Sequence, residues 1–330
     1  MKEYTMTINS VTCPPMIREG DVFLDIETLG LSPKDSAIYL IGLGRFNRGS
    51  YEIVQFFAES EQEEDEIIHA IFPYLTNASR IITFHGEAFD LPFLTKRSRQ
   101  YHIPFSYEQG KVQYSGRDIE SFDLRKAIYS LRRILQFPHY NQRTLEEFLQ
   151  IKRKDDIAGK ELITCYKAYM MDEDPLKRSM LLDHNRFDVE HMPKLFDLLQ
   201  YRNIPDTNYT LTSFSSNQQA LELCGTSDLS LPVPLSIHNL GVHLQFFDCG
   251  IKVYIPLSNG KMRYYLPNPK DYVRLKADGQ LLPKALAASL PSSSYEKVDE
   301  SNCYTEVSIN SETLNPEYLS RYLKQLLRQI

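Results

Sequence analysis

Apolar and polar positions change period several times along this chain, and the changes mark its elements. In residues 21–27, Val22, Leu24 and Ile26 alternate with Asp25 and Glu27, the two-residue period of a strand. Residues 37–46 and 51–57 are strand-like runs, with Asn47–Gly49 between them as a hairpin signal. Residues 62–75 take a helical period. Residues 80–84 are a short apolar run, as expected for a strand buried on both faces. His85-Gly86 breaks that run, and a helix is expected from about Asp90, with Pro92 tolerated in its first turn. Asp123 is placed to cap a helix over 124–135. Thr144 and Glu147 make a capping-box pattern for the next helix. Residues 160–171 and 176–200 read as helices, with Pro193 expected to kink or restart the second.

After about residue 203 the texture becomes polar and turn-rich. Residues 251–266 form two strand-like runs around Asn259-Gly260, which predicts a hairpin, and helical period returns over 314–329. The expected organisation is a mixed α/β domain over 1–203 and a smaller α+β unit over 204–330. The N-terminal meander argues against a purely parallel dinucleotide-binding sheet. No GxGxxG or GxxxxGK[ST] follows any strand.

The strand at 21–27 also raises the chemistry. Asp25 and Glu27 are two apart, so they share one face. Two like charges on a half-buried face repel and lose solvation, and a divalent cation removes both costs. Asp90 alone reads as a helix cap, but it lies just beyond a central strand, where ligands collect. At helical spacing, Leu181, His184, Asp188, Met192, Leu195 and Leu199 form a stripe in which one His and one Asp interrupt the apolar series. An ionised Asp on a core-facing stripe needs a basic partner or a metal. The four carboxylates Asp25, Glu27, Asp90 and Asp188 are hard oxygen donors that suit Mg²⁺ or Mn²⁺ rather than zinc. Two ions so held can clamp a phosphodiester and activate water, with His184 taking its proton.

Composition narrows the setting. The 330 residues suffice for one large core and a second, smaller one. No run of eighteen apolar residues occurs, so no membrane span is expected, and the first residues lack the apolar core of a signal peptide. The five cysteines are scattered without a CxxC, which argues against a disulfide framework and structural zinc and for a cytoplasmic protein. The net charge of −6 does not announce a nucleic-acid binder, but residues 96–160 carry fourteen Lys or Arg against eight Asp or Glu.

Four segments, in order, carry a resemblance. They are LDIETLGLSP (24–33, followed by IYLIGLG at 38–44), FHGEAFDLPFLTKR (84–97), TLEEFLQIKRKDDIAGKELITCYKAY (144–169) and LLDHNRFDV (181–189). The chain resembles the DEDD class of two-metal 3′–5′ exonucleases on the ribonuclease H-like fold, and more narrowly the YprB-type ribonuclease H-like family. The resemblance covers about residues 20–200. It implies a mixed sheet flanked by helices, with Asp25, Glu27, Asp90 and Asp188 as metal ligands. It puts His184, four residues before Asp188, at the general-base position.

The resemblance implies a metal-dependent 3′–5′ exonuclease acting on DNA or RNA, with a single-stranded 3′ end as the expected partner. Thr28, Lys96, Arg97 and Arg153 are candidate contacts to the strand, set against plain strand-end or solvated-surface roles. Two alternatives stand beside this. One is a nucleic-acid-binding or assembly module that does not cut. The other is a structure-specific endonuclease, since the fold supports both. Residues 204–330 are expected to be an accessory domain. Their Tyr254, Tyr264 and Tyr265, among Lys252, Lys261 and Arg263, suit stacking against a strand, although ordinary half-buried tyrosines explain them as well.

Overall fold

In the computed structural model, residues 1–155 and 159–329 are described. By its internal contacts the chain divides into two compact units. One comprises Met1–Ser130 and Phe137–Leu199; the other comprises Leu131–Gln136 and Gln200–Ile330.

The first unit is built on an eight-stranded sheet. Its strands are β1 (Lys2–Asn9), β2 (Asp21–Thr28), β3 (Ile38–Asn47), β4 (Ser50–Phe57), β5 (Arg80–Thr83), β6 (Phe105–Glu108), β7 (Lys111–Tyr114) and β8 (Arg117–Asp123). Their order is β1-β4-β3-β2-β5-β8-β7-β6. The β2–β3–β4 meander is antiparallel, whereas β5 runs parallel to β2, and β8 parallel to β5. Arg48 and Gly49 both have positive φ between Asn47 and Ser50, the two-residue turn that the right-handed strand twist favours. β1 and the hairpin β6–β7 were not expected. Their strands are short or polar and mostly half-exposed, so they carry little period-two signal.

The helices up to residue 195 are α1 (Glu64–Ala70), α2 (Phe72–Leu75), α3 (Asp90–Gln100), α4 (Leu124–Tyr129), α5 (Arg132–Leu135), α6 (Gln142–Phe148), α7 (Gly159–Asp172) and α8 (Pro175–Leu195), of which α5 belongs to the second unit. One core joins Leu24 and Ile26 of β2 to Ile67 and Ile68 of α1 and to Leu91 and Leu94 of α3. A second joins Tyr39, Leu40 and Phe57 to Tyr166 and Tyr169 of α7 and Leu181 of α8. The sheet is thus a mixed sheet flanked by helices, with Asp25 and Glu27 on the strand positions that alternate with Leu24 and Ile26.

Several helical expectations need correction. The helix over 62–75 breaks at Ile71, ahead of Pro73, and the one over 124–135 breaks at Ser130–Leu131. Thr144 is not a cap: Asn141 is, accepting from the Thr144 backbone N–H at 2.8 Å, so the helix begins three residues earlier. Asp123 does cap α4. α8 continues through Pro193 to Leu195 and passes into 3₁₀ turns over Phe196–Asp206. Pro193 cannot donate to the Val189 carbonyl four residues back. The Tyr51 hydroxyl donates to that carbonyl instead, at 2.9 Å, which explains why the helix survives. The segment at 144–169 includes residues 156–158, which lie outside the described residues.

The second unit holds a five-stranded antiparallel sheet of β9 (Thr210–Ser216), β10 (Ala220–Thr226), β11 (Leu235–Asn239), β12 (Val242–Phe247) and β13 (Gly250–Pro256). Short strands follow: β14 (Lys261–Tyr265), β15 (Tyr272–Leu275), β16 (Leu281–Pro283), β17 (Tyr295–Lys297) and β18 (Tyr304–Ser308). The short α9 (Lys284–Ala287) and the amphipathic α10 (Pro316–Leu327) complete it. The hairpin expected over 251–266 does not form. Asn259-Gly260 makes a tight turn closed by a Ser258–Lys261 bridge, but β13 pairs with β10 and β12, and β14 pairs with β18. Among the described residues no helix is long and apolar enough to cross a membrane.

Candidate active site

Three elements bring the expected carboxylates together. β2 presents Asp25 and Glu27. α3 begins at Asp90, whose Oδ1 accepts from the Ile26 backbone N–H at 3.1 Å, between the two β2 carboxylates in sequence. α8 supplies His184 and Asp188 one turn apart. His184 Nε2 lies 3.3 Å from Asp188 Oδ2 and 3.9 Å from Glu27 Oε1. Single ligand atoms of Glu27, His184 and Asp188 all fall within 4.8 Å of one another.

Asp25 is set by a chain of amides that runs across the sheet. Asp25, Gly42 and Gln55 are direct cross-strand neighbours on β2, β3 and β4. The fully buried Asn185 of α8 lies over Gly42, where a Cβ would overlap its side-chain amide. Gln55 Nε2 donates to Asn185 Oδ1 at 2.8 Å, and Asn185 Nδ2 donates to Asp25 Oδ2 at 2.8 Å. Gly42 is therefore needed for close approach.

The electrostatics follow from burial. Removal from water, then the charges of Asp188 and Asp90, push Asp25 and Glu27 well above the usual carboxylate range. Asp90 is pushed up to about 7, mainly by burial, although backbone N–H groups oppose this. Asp25 is helped by a neutral amide, Asp90 by backbone donors and Asp188 by the Arg153 guanidinium, whose single charge does not offset four carboxylates. Hard oxygen donors short of positive charge are the donor set that a divalent cation fits.

Arg153 and Asp155 also enter the cluster. Arg153 Nη1 lies 2.5 Å from Asp188 Oδ1, and its Nε and Nη2 hold the two oxygens of Asp155 at 2.5 and 2.9 Å. Asp155 Oδ2 in turn lies 2.7 Å from His184 Nδ1. Burial raises the Asp155 carboxyl, but bonding to Arg153, its charge and that of His184 outweigh burial and hold it below its ordinary value. For Arg153, burial lowers the guanidinium, and Asp155 and Asp188 more than reverse this. Asp155 was missed in the sequence because it lies in a loop without period; the basic run just before it was the only signal.

The expected strand contacts are not alike. Arg97 is corrected outright: it is buried, and its guanidinium pairs with the fully buried Glu64 of α1. Arg153 is likewise turned inward, its side chain 8% exposed, onto carboxylates rather than outward toward a strand. Thr28 is buried, and its hydroxyl donates to the Gly30 carbonyl at 2.8 Å, a strand-end turn. Lys96 is exposed on α3.

Among curated proteins none matches this chain. Of solved structures, one described as the apo form of a nuclease is similar at 19% identity, over 57% of this chain and 75% of that one, with a TM-score of 0.35. The family B DNA polymerase from the hyperthermophilic archaeon Pyrobaculum calidifontis is similar at 11% identity, over 94% of this chain, with a TM-score of 0.41. The chain spans 46% of that polymerase's length. The model of the RNase_H_2 family, described as RNase_H superfamily, matches residues 22–200, more than half of the chain and the stretch that carries all four carboxylates. The chain therefore belongs to the RNase_H superfamily.

Proposed function

We propose that this protein is a metal-dependent nuclease that removes nucleotides from the 3′ end of a DNA or RNA strand by a two-metal mechanism. The observation that carries the proposal is the convergence of Glu27, His184 and Asp188 within 4.8 Å, beside the carboxyls of Asp25 and Asp90, which removal from water raises. Asp25, Glu27, Asp90 and Asp188 would hold Mg²⁺ or Mn²⁺. When bound, such ions supply positive charge against the scissile phosphate and acidify an attacking water. His184 offers Nε2 on the carboxylate side of its ring and accepts the proton of that water. Asn185 fixes the rotamer of Asp25, and the Ile26 N–H fixes that of Asp90. Lys96 is proposed to meet the phosphates of the strand, and the second unit to act as an accessory to the first.

The test is hydrolysis of 5′-end-labelled single-stranded DNA and RNA with Mn²⁺, Mg²⁺ or EDTA, beside the Asp188→Asn variant. A metal-dependent ladder shortening from the 3′ end, absent in the variant, is expected. Internal cuts, or equal turnover by the variant, would overturn the proposal.

A further inference from the structure

The loop after α6 contributes more than charge to this site. Asp155 is inserted behind the ring of His184, its side chain only 6% exposed, with Oδ2 at 2.7 Å from Nδ1. The carboxylate cannot rotate away easily. Arg153 grips both of its oxygens, and Arg143 donates to the Asp155 backbone carbonyl. Arg153 is itself held by the His184 carbonyl at 3.2 Å and by Glu146, 3.5 Å away and buried. The other ring nitrogen, Nε2, points at Asp188 and Glu27.

An ionised carboxylate only accepts hydrogen bonds, and carboxylates face both ring nitrogens. The 2.7 Å contact of Nδ1 with Asp155 is much shorter than the 3.3 Å contact of Nε2 with Asp188 and the 3.4 Å approach of Arg153 Nη2 to Nδ1, so the proton of a neutral His184 is best held on Nδ1. The geometry points to Asp155 as the positioning residue of His184: it fixes the Nδ1–H tautomer and so leaves the Nε2 lone pair facing the carboxylate cluster, with Arg153 as the clamp on Asp155. This rests on the proposed role of His184 as proton acceptor. Loss of such an orienting carboxylate leaves the ring in place but lets it adopt the wrong tautomer.

The experiment uses the full chain labelled with ¹⁵N-histidine. Long-range ¹H–¹⁵N spectra, assigned by His184→Gln, report which ring nitrogen carries the proton at the alkaline end of the titration. The wild type should show Nδ1–H at His184. Asp155→Asn, whose amide can donate to Nδ1, should shift the ring toward Nε2–H. It should also lower kcat on the order of a hundredfold at little-changed KM, while Asp155→Glu restores part of kcat. A wild-type Nε2–H tautomer, a ring doubly protonated throughout the accessible range, or an unchanged tautomer in a folded Asp155→Asn protein would each overturn the inference. If Asp155→Asn does not fold, the wild-type tautomer alone decides. If the wild type hydrolyses no strand yet shows Nδ1–H lost in the variant, the positioning stands and the nuclease proposal fails.

Discussion

Arg97 offers the sharpest test of how this fold uses its basic residues. Its Nε donates to Glu64 Oε1 at 2.7 Å, its Nη2 pairs with Glu64 Oε2, and its Nη1 reaches the Pro33 carbonyl at 3.3 Å. The Glu64 side chain is fully buried and also accepts from the Ile38 N–H at 2.8 Å and the Tyr101 hydroxyl at 2.6 Å. Arg97→Met keeps most of the aliphatic packing and removes the charge, which strands a buried carboxylate. Breaking a buried pair from one side costs about 3–5 kcal/mol. The two remaining donors to Glu64 favour the lower end, near ~3 kcal/mol. For a unit of this size that lowers the melting temperature by about 6–12 °C. The double variant Glu64→Leu/Arg97→Met removes both charges and should recover most of the loss. The chain has no tryptophan, so far-UV circular dichroism is the readout for the melts. Single-strand affinity by fluorescence anisotropy, measured where the variant is folded, should be unchanged. The reasoning is refuted if Arg97→Met melts within about 2 °C of wild type while strand affinity falls severalfold.

Four further outcomes are expected. Asp25→Asn and Asp188→Asn should each reduce metal-supported hydrolysis by more than about a hundredfold with melting curves no lower than wild type; activity retained in both would refute the carboxylate assignment. Burial pushes the Asp90 carboxyl up to about 7 in the folded protein, from an ordinary 3.8. The folded state therefore binds more protons, and the metal-free protein loses stability as pH rises across that window, on the order of 4 kcal/mol from Asp90. Urea melts of wild type and Asp90→Asn in EDTA should show the variant gaining relative stability toward pH 7, and a gain by wild type would refute this. Gly42→Ala forces Asn185 off Asp25 and should cost about 1–3 kcal/mol while weakening Mn²⁺ binding by calorimetry; unchanged values in both would refute the close-approach argument. Lys96→Ala should leave stability unchanged and reduce the slope of log affinity against log salt by roughly 0.7, where an unchanged slope would remove Lys96 from the strand path.

What was legible in the sequence was local in the chain. The alternation at 21–27 put Asp25 and Glu27 on one strand face, and the helical stripe put His184 and Asp188 one turn apart; both hold because strand and helix period alone decide them. The rest depends on partners far away in sequence. Tyr51 rescues a helix through Val189, 138 residues on. β14 finds β18 rather than its hairpin neighbour, so a correct turn at Asn259-Gly260 still joins strands of different sheets. Asp155 acquires its place only when its loop meets α8, 29 residues later, and no period marks a loop.

The same distinction governs the basic stretch at 96–160. Its excess of fourteen Lys or Arg over eight acids suggests a strand-binding track, but a count of charges assumes that each one faces water. Arg97 is consumed by Glu64, and Arg153 by Asp155 and Asp188; Arg143 donates to the Asp155 carbonyl, and Arg125 donates to the Tyr140 carbonyl at 2.9 Å. Guanidinium groups are suited to such internal roles because their planar forks satisfy several fixed acceptors at once. Other cations of the segment stay outside: Lys96, Lys152 and Lys154 are exposed, as are Arg99 and Arg117, while Lys111 and Lys126 pair with Asp118 and Glu87. Electrostatic attraction of a strand to this segment should therefore follow its exposed cations and not its total charge. Replacing Lys96, Lys152 and Lys154 together should flatten the salt dependence of binding by roughly 2 in slope, whereas removing Arg97, Arg143 and Arg153 would disturb stability and the carboxylate cluster before it touched affinity.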